Sequence, residues 1–167
     1  MTTFTVRPAR TSDVPYIQEL VEPYVQQRIL LGKDLVVFYE AVQEFRIAET
    51  DAGLVVGCGA LHVMWQDLAE VRTLAVDLAW RGKGVGHALL EAIELDAHTL
   101  GLSRLFCLTF ETEFFGRHGF EPISEDVVAP EVFAALSLSP DDGVAEFLDL
   151  SRVKQNTLGN TRMLKQL

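Results

Sequence analysis

Three observations in this sequence predict an α/β fold. Val71, Thr73 and Ala75 alternate with Arg72, Leu74 and Val76, the period of two expected of a strand, and Asp77 ends the run. Behind it, Val85, Ala88, Leu89, Ala92, Ile93, Ala97 and Leu100 fall at helical spacing, with Gly101 placed just past the helix end. Leu105 to Phe110 is then a nearly continuous apolar run, which suits a strand buried on both faces and parallel to its neighbour across the helix. Strand, helix and strand in that order make a βαβ unit.

The remaining elements are expected on both sides of that unit. Thr3 to Arg7 alternates as a short first strand, and Ser12 or Asp13 can cap a helix carrying Val14, Ile17, Leu20 and Val21, which Pro23 interrupts. A second helix starts at Asp34 and carries Leu35, Phe38, Tyr39 and Val42, with Lys33 at the turn before it. Phe45 to Thr50 and Leu54 to Trp65 form a hairpin around Asp51, Ala52 and Gly53. Gly57 and Gly59 flank Cys58 and mark either a bulge or a close backbone approach, or else ordinary sheet packing. Beyond the unit, Glu111 to His118 reads as a short helix closed by Gly119, Phe120 enters a strand, and Pro130 opens a helix with Val132, Phe133 and Leu136. Val144 to Leu150 and Arg162 to Leu164 are expected closing strands, and the polar stretch between them is placed to cover a site.

Length and composition set the bounds. The chain has 167 residues, 49% of them hydrophobic, and is expected to form one domain over residues 1–167 around a single core. A net charge of -10 argues against nucleic acid or an anionic membrane as partner. No apolar run approaches the roughly 18 residues of a membrane span, and the amino terminus lacks a signal-peptide core, so a cytoplasmic location is expected. Cys58 and Cys107 sit in apolar runs without a CxxC pair and read as buried thiols; no metal site is expected.

Arg81, Gly82, Lys83, Gly84, Val85 and Gly86 form a glycine-rich basic loop from which the central helix starts. The first turn of a helix has unpaired N–H groups and partial positive charge, so anions bind there, and glycines let a pyrophosphate approach the backbone. A phosphate-binding P-loop and a dinucleotide fingerprint both fail on spacing. The alternative is a glycine loop that only turns the chain. The pattern R-x-x-G-x-G at Arg81, Gly84 and Gly86 resembles the acetyl-CoA motif of the GNAT N-acetyltransferases, and Leu74 to Val76, Phe114, Gly119 and Phe120 follow in matching order. Stretches at Ile29 to Lys33, Gly57 to Leu61, Ala69 to Val76 and Ser103 to Thr109 resemble N-acetylglutamate synthase in a short form without an amino-acid-kinase domain.

The resemblance implies an acyl-CoA N-acyltransferase fold, a mixed sheet of about seven strands flanked by about four helices. It implies acetyl transfer from acetyl-CoA to the α-amino group of L-glutamate, leading into arginine synthesis, with both small molecules as partners and a homodimer as the oligomeric option. Acetyl-CoA would meet Leu74, Ala75, Val76 and the loop from Arg81 through Gly86. Glu70 matches the general-base position; the alternative is a solvated strand-edge carboxylate. Thr109 matches a hydroxyl position that would support the leaving thiolate; the alternative is a plain strand threonine. A tyrosine common in the superfamily is replaced by Phe115, which has no proton to give. His118 would titrate near neutrality or serve as a helix-end cation.

Glutamate brings two carboxylates, which call for Arg or Lys partners. Lys33 matches an arginine in some relatives, and Leu31 and Thr73 match residues whose backbone contacts substrate. An arginine in the closing segment of those relatives aligns with Gly159, so Arg72 is the first substitute, with Arg162 or Lys154 behind it; the alternative for Arg72 is a cross-strand salt bridge. Two other functions stay open at this point. One is an acetyltransferase for another amino acid, a polyamine or an aminoglycoside; the other is a non-catalytic module that binds acetyl-CoA.

Overall fold

The computed structural model describes residues 3–30, 32–150 and 160–167. Among these, seven strands hydrogen-bond in the order β1-β2-β3-β4-β5-β7-β6: β1 Phe4–Pro8, β2 Phe45–Thr50, β3 Val55–Trp65, β4 Leu68–Val76, β5 Arg104–Thr109, β6 Glu121–Pro122 and β7 Thr161–Gln166. The helices are α1 Val14–Gln26, α2 Leu35–Glu40, α3 Val85–Thr99, α4 Thr112–Arg117, α5 Pro130–Leu136 and α6 Asp142–Phe147. Six helices among the described residues replace the expected four. The chain forms two compact units, one of Met1–His62 with Val71–Leu100, the other of Val63–Glu70 with Gly101–Leu167.

In the first unit, α1 buries Val14, Ile17, Leu20 and Val21, the face read from their spacing, against Phe38, Phe45, Ile47 and Cys58. Asp13 precedes this helix but does not cap it. Its carboxylate instead accepts from the Arg10 N–H at 2.7 Å and from Arg7 at 2.8 and 2.9 Å, while Arg7 also donates to Glu49 on β2. The guanidinium holds the Asp13 carboxyl below the usual range. Pro23 does not interrupt α1, which runs on to Gln26. A proline removes its own N–H from the ladder, and the helix completes its last turn with Gln27 N–H bonded to the Pro23 carbonyl.

The hairpin of β2 and β3 turns where its composition indicated, with Gly53 at φ 82° and Thr50 and Leu54 paired across it. Gly57 and Gly59 answer to a close approach, of side chains rather than of ligand. A Cβ on Gly57 would lie 2.7 Å from Val85 and 2.9 Å from Leu89, and one on Gly59 2.9 Å from Ile93 and from Leu74. Side chains of α3 thus lie flat on β3. That helix buries Val85, Leu89, Leu90, Ile93 and Ala97, whereas Leu100, expected on the same face, is 61% exposed. Gly101 at φ 82° has already begun the turn away, and Leu90 takes the core position that the spacing had left out.

In the second unit, Leu68–Glu70 of β4 pair parallel with Arg104–Phe106 of β5, and β5 pairs antiparallel with β7 from Arg104↔Gln166 to Thr109↔Thr161. Leu105, Phe106 and Cys107 are buried in succession, as a strand covered on both faces requires. Val144 to Leu150 is not a strand. Val144, Phe147 and Leu148 are buried at i, i+3 and i+4 against Leu68 and Phe106, and the Asp141 carboxylate caps the helix by accepting from the Val144 N–H at 3.0 Å. A short apolar run looks alike in either state, and the cap decides it.

Candidate functional site

The first unit carries the anion cradle. After β4, Asp77 accepts from the Ala79 N–H at 2.8 Å and starts a single 3-10 turn, Leu78–Trp80, which delivers the chain to Arg81. Gly82 and Gly84 then take φ of 75° and 83°, and α3 starts at Val85. Among the described residues, no atom beyond the chain neighbours lies within 4 Å of a Cβ built on either glycine, so the backbone there faces open space. Exposed N–H groups at the start of a 15-residue helix, approached without side chains, suit a diphosphate. Arg81 and Lys83 are exposed beside them, and the Lys83 ammonium lies 5.0 Å from the centre of the Trp80 ring.

The strand that leads to the cradle departs from the regular alternation read in Val71 to Val76. Thr73 sits at φ 56°, the left-handed region, within β4. Such a conformation costs a threonine on the order of 1–3 kcal/mol and persists where its surroundings fix it. Here the buried Cys58 thiol donates to the Thr73 carbonyl at 3.4 Å and its sulfur also takes a hydrogen bond from the Ala75 backbone. The Asp77 N–H returns to Val56 at 2.8 Å, and the Tyr24 hydroxyl donates to the Val76 carbonyl at 2.5 Å. The left-handed residue interrupts the strand between Arg72 and Leu74, the kind of irregularity that re-aims groups beside active sites.

The second unit holds the two residues expected to handle protons. Glu70 on β4 is 6% exposed, opposite Phe106, so the solvated-edge alternative does not hold. Burial of Cys107 raises its thiol well above the ordinary range, and the Glu70 charge adds to the rise. Thr109 ends β5, and its hydroxyl oxygen accepts from the Glu111 N–H at 2.8 Å, which leaves the hydroxyl hydrogen to be donated. Phe115 is buried against Phe114 and Phe120. The His118 Nδ1 lies 2.8 Å from the Phe114 carbonyl at the end of α4, an arrangement that caps the helix.

A family model described as "Acetyltransferase (GNAT) domain" matches residues 41–122. An amino-acid acetyltransferase of Mycobacterium tuberculosis is 59% identical over 95% of this chain and 92% of that protein. The chain belongs to the GNAT acetyltransferase family. Among solved structures, Rv2747 from Mycobacterium tuberculosis, in complex with CoA and NLQ, superposes with a TM-score of 0.93 at 58% identity over 98% of this chain and 99% of that one. N-acetylglutamate synthase from Neisseria gonorrhoeae, complexed with coenzyme A and N-acetyl-glutamate, gives a TM-score of 0.78 at 28% identity. It matches 99% of this chain, which spans 35% of that longer protein. The GNAT fold and the use of acetyl-CoA follow, and amino-acid N-acetylation is the activity of the group.

The expected acceptor residues divide. Lys33 and Arg72 are both half-buried in the first unit, Lys33 just before α2 and Arg72 on β4. Thr73 is the kinked residue itself. Leu31, Lys154 and Gly159 lie outside the described residues. Arg162 donates through Nη2 to the Phe147 carbonyl at the end of α6, while its Nε and the nearby Asn160 Oδ1 are buried without a hydrogen-bond partner among the described residues. Sequence reasoning missed Tyr24 and the part played by Cys58. The Gly-Cys-Gly run was the one signal for the latter, since glycines on both sides admit α3 and leave the thiol between them to face β4. Among the described residues there is no group of three His, Cys, Asp or Glu side chains placed to hold a metal, and no helix long and apolar enough to cross a membrane.

Proposed function

We propose that this chain transfers the acetyl group of acetyl-CoA to the α-amino group of L-glutamate, the opening step of arginine synthesis. The observation that carries the catalytic part is Glu70, a carboxylate 6% exposed at the start of the strand whose kink follows three residues later. An amino acid reaches the enzyme as an ammonium and must lose a proton before it attacks a thioester. Glu70 takes that proton, directly or through a water. The amine nitrogen then bonds to the acetyl carbonyl carbon, and the developing oxyanion is met by the backbone N–H groups of Leu74 and Val76, since Ala75 is engaged by Cys58. As the carbon–sulfur bond breaks, the Thr109 hydroxyl donates a hydrogen bond to the departing thiolate, and the proton released by the nitrogen as the amide forms balances the charge through solvent. The pyrophosphate rests on the loop from Arg81 to Gly86.

For the acceptor, Lys33 and Arg72 each hold one carboxylate of glutamate. The likeness to N-acetylglutamate synthase supports this reading, as does the anion preference that two cations confer. One observation favours L-glutamine as a second reading: Arg162 is already donating to Phe147, and the closing-segment arginine that the resemblance implies aligns with Gly159. One fewer cation would suit an uncharged side chain. The test is CoA release from acetyl-CoA with L-glutamate, L-glutamine, L-aspartate and spermidine as acceptors. Turnover confined to the amino acids and highest with L-glutamate supports the proposal, whereas preference for spermidine, or CoA binding without turnover on any amine, overturns it.

A further inference from the structure

Tyr24 joins two parts of the first unit that the reaction would use together. Its backbone closes α1. The helix ends with Arg28 in the left-handed region at φ 59°, the Arg28 N–H bonded to Val25 at 3.0 Å and the Ile29 N–H bonded to the Tyr24 carbonyl at 2.8 Å. This is the paired hydrogen-bond pattern of a Schellman cap, built without its usual glycine. The Leu30 N–H adds a second bond to the same carbonyl at 3.2 Å. In the sequence Lys33 follows Arg28 by five residues. The side chain of Tyr24 points elsewhere: its hydroxyl, 52 residues away in sequence, donates at 2.5 Å to the Val76 carbonyl at the end of β4.

We infer that Tyr24 is a positioning residue that ties the conformation of the loop bearing Lys33 to that of the kinked strand end at Val76. The kink is maintained at a cost, so each hydrogen bond that fixes it contributes to its shape. A ligand that orders Val76 orders the Tyr24 hydroxyl, and the Tyr24 carbonyl passes that order to Ile29 and Leu30. Coenzyme would then prepare the acceptor loop before the acceptor arrives. Any such coupling is reciprocal, so an acceptor held by the loop tightens the coenzyme. The inference rests on the reading that Leu74 to Val76 meet the coenzyme.

Amide hydrogen exchange of the full chain, with and without saturating CoA, separates the two. In the wild type, CoA should slow exchange at the Leu74 to Val76 amides and also, by about five-fold or more, at the Ile29 and Leu30 amides. In Tyr24→Phe, which removes one oxygen, saturating CoA should still protect the strand end, while protection of Ile29 and Leu30 should change by less than about two-fold. A residue that only stabilised the fold would show equal changes in both proteins. Equal protection of Ile29 and Leu30 in wild type and variant overturns the inference. So does a wild type whose strand end is protected while Ile29 and Leu30 are not, a result that holds whether or not the variant folds. A wild type in which CoA leaves Leu74 to Val76 unchanged removes the coenzyme reading and the inference with it.

Discussion

The Cys58 thiol donates to the carbonyl oxygen of Thr73, and its sulfur takes a hydrogen bond from the Ala75 backbone, so one buried side chain serves both arms of the left-handed turn in β4. Cys58→Ala removes both bonds. At about 0.5–1.5 kcal/mol net for each hydrogen bond, and with one bond's worth of that loss reaching the binding loop as the turn relaxes, CoA affinity should fall by roughly 2- to 10-fold in calorimetry. Cys58→Ser, which keeps a donor and an acceptor, should stay within about two-fold of wild type. Equal affinity of the alanine variant would mean that the turn holds itself.

Burial pushes the Cys58 thiol up to about 12 and raises Cys107 as well, with the Glu70 charge adding to the latter. An unfolded thiol releases its proton from about pH 8.5 upward. Above that pH the native state binds more protons than the unfolded state, so stability is full below it and declines as pH rises toward the folded value. By pH 10 the Cys58 thiol should have cost about 1.9 kcal/mol relative to pH 8, and Cys107 should add a loss of the same sign. Urea unfolding at the two pH values, in wild type and in Cys58→Ala with Cys107→Ala, measures the difference. Identical pH dependence of the two proteins would show that the thiols are not held protonated.

Gly84 and Gly101 share the left-handed conformation, at φ 83° and 82°, and both face open space, but they lie at opposite ends of α3. A valine at either position should cost a similar ~1–2 kcal/mol of stability. The two should part in binding. Gly84→Val obstructs the approach to the helix N-terminus and should weaken CoA by more than about ten-fold, while Gly101→Val should leave affinity unchanged. Equal affinities would move the pyrophosphate elsewhere.

Proton handling separates in the kinetics. Glu70→Gln keeps the shape and loses the proton acceptor, so kcat should fall by ~10²-fold with recovery at high pH and little change in CoA affinity. Thr109→Val should lower kcat more than it raises the acceptor KM, with partial recovery in Thr109→Ser. A normal rate for Glu70→Gln at pH 7 would assign the proton to another base or to bulk solvent.

The elements legible in the sequence were those whose local signals agreed. Val85 to Thr99 had helical spacing, a glycine at each end and a strand before it, and it forms as read. Val144 to Leu150 had only an apolar run, and the competing signal, Asp141 as a cap, lay outside the run. The kink at Thr73 could not be read, because threonine is a strand residue and the hydrogen-bond partners along this strand end, Cys58, Tyr24 and Val56, come from elsewhere in the chain. Glu70 and Thr109 were recognisable through the resemblance, whereas the burial of Glu70 depends on its pairing with β5. Arg162 showed a charge in the sequence but not the carbonyl that occupies it.

The most direct measurement is kcat/KM for L-glutamate against L-glutamine in the wild type, Lys33→Met and Arg72→Met. Glutamine keeps the α-carboxylate and loses the side-chain charge, and losing a charged hydrogen-bond partner costs about 1.5 to 3 kcal/mol. Glutamate should therefore be preferred by roughly ten-fold to somewhat above a hundred-fold. Of the two variants, the one lacking the side-chain partner should narrow that gap, and the other should slow both acceptors alike. A wild type that prefers glutamine, or two variants that change neither acceptor by more than about three-fold, would contradict the account.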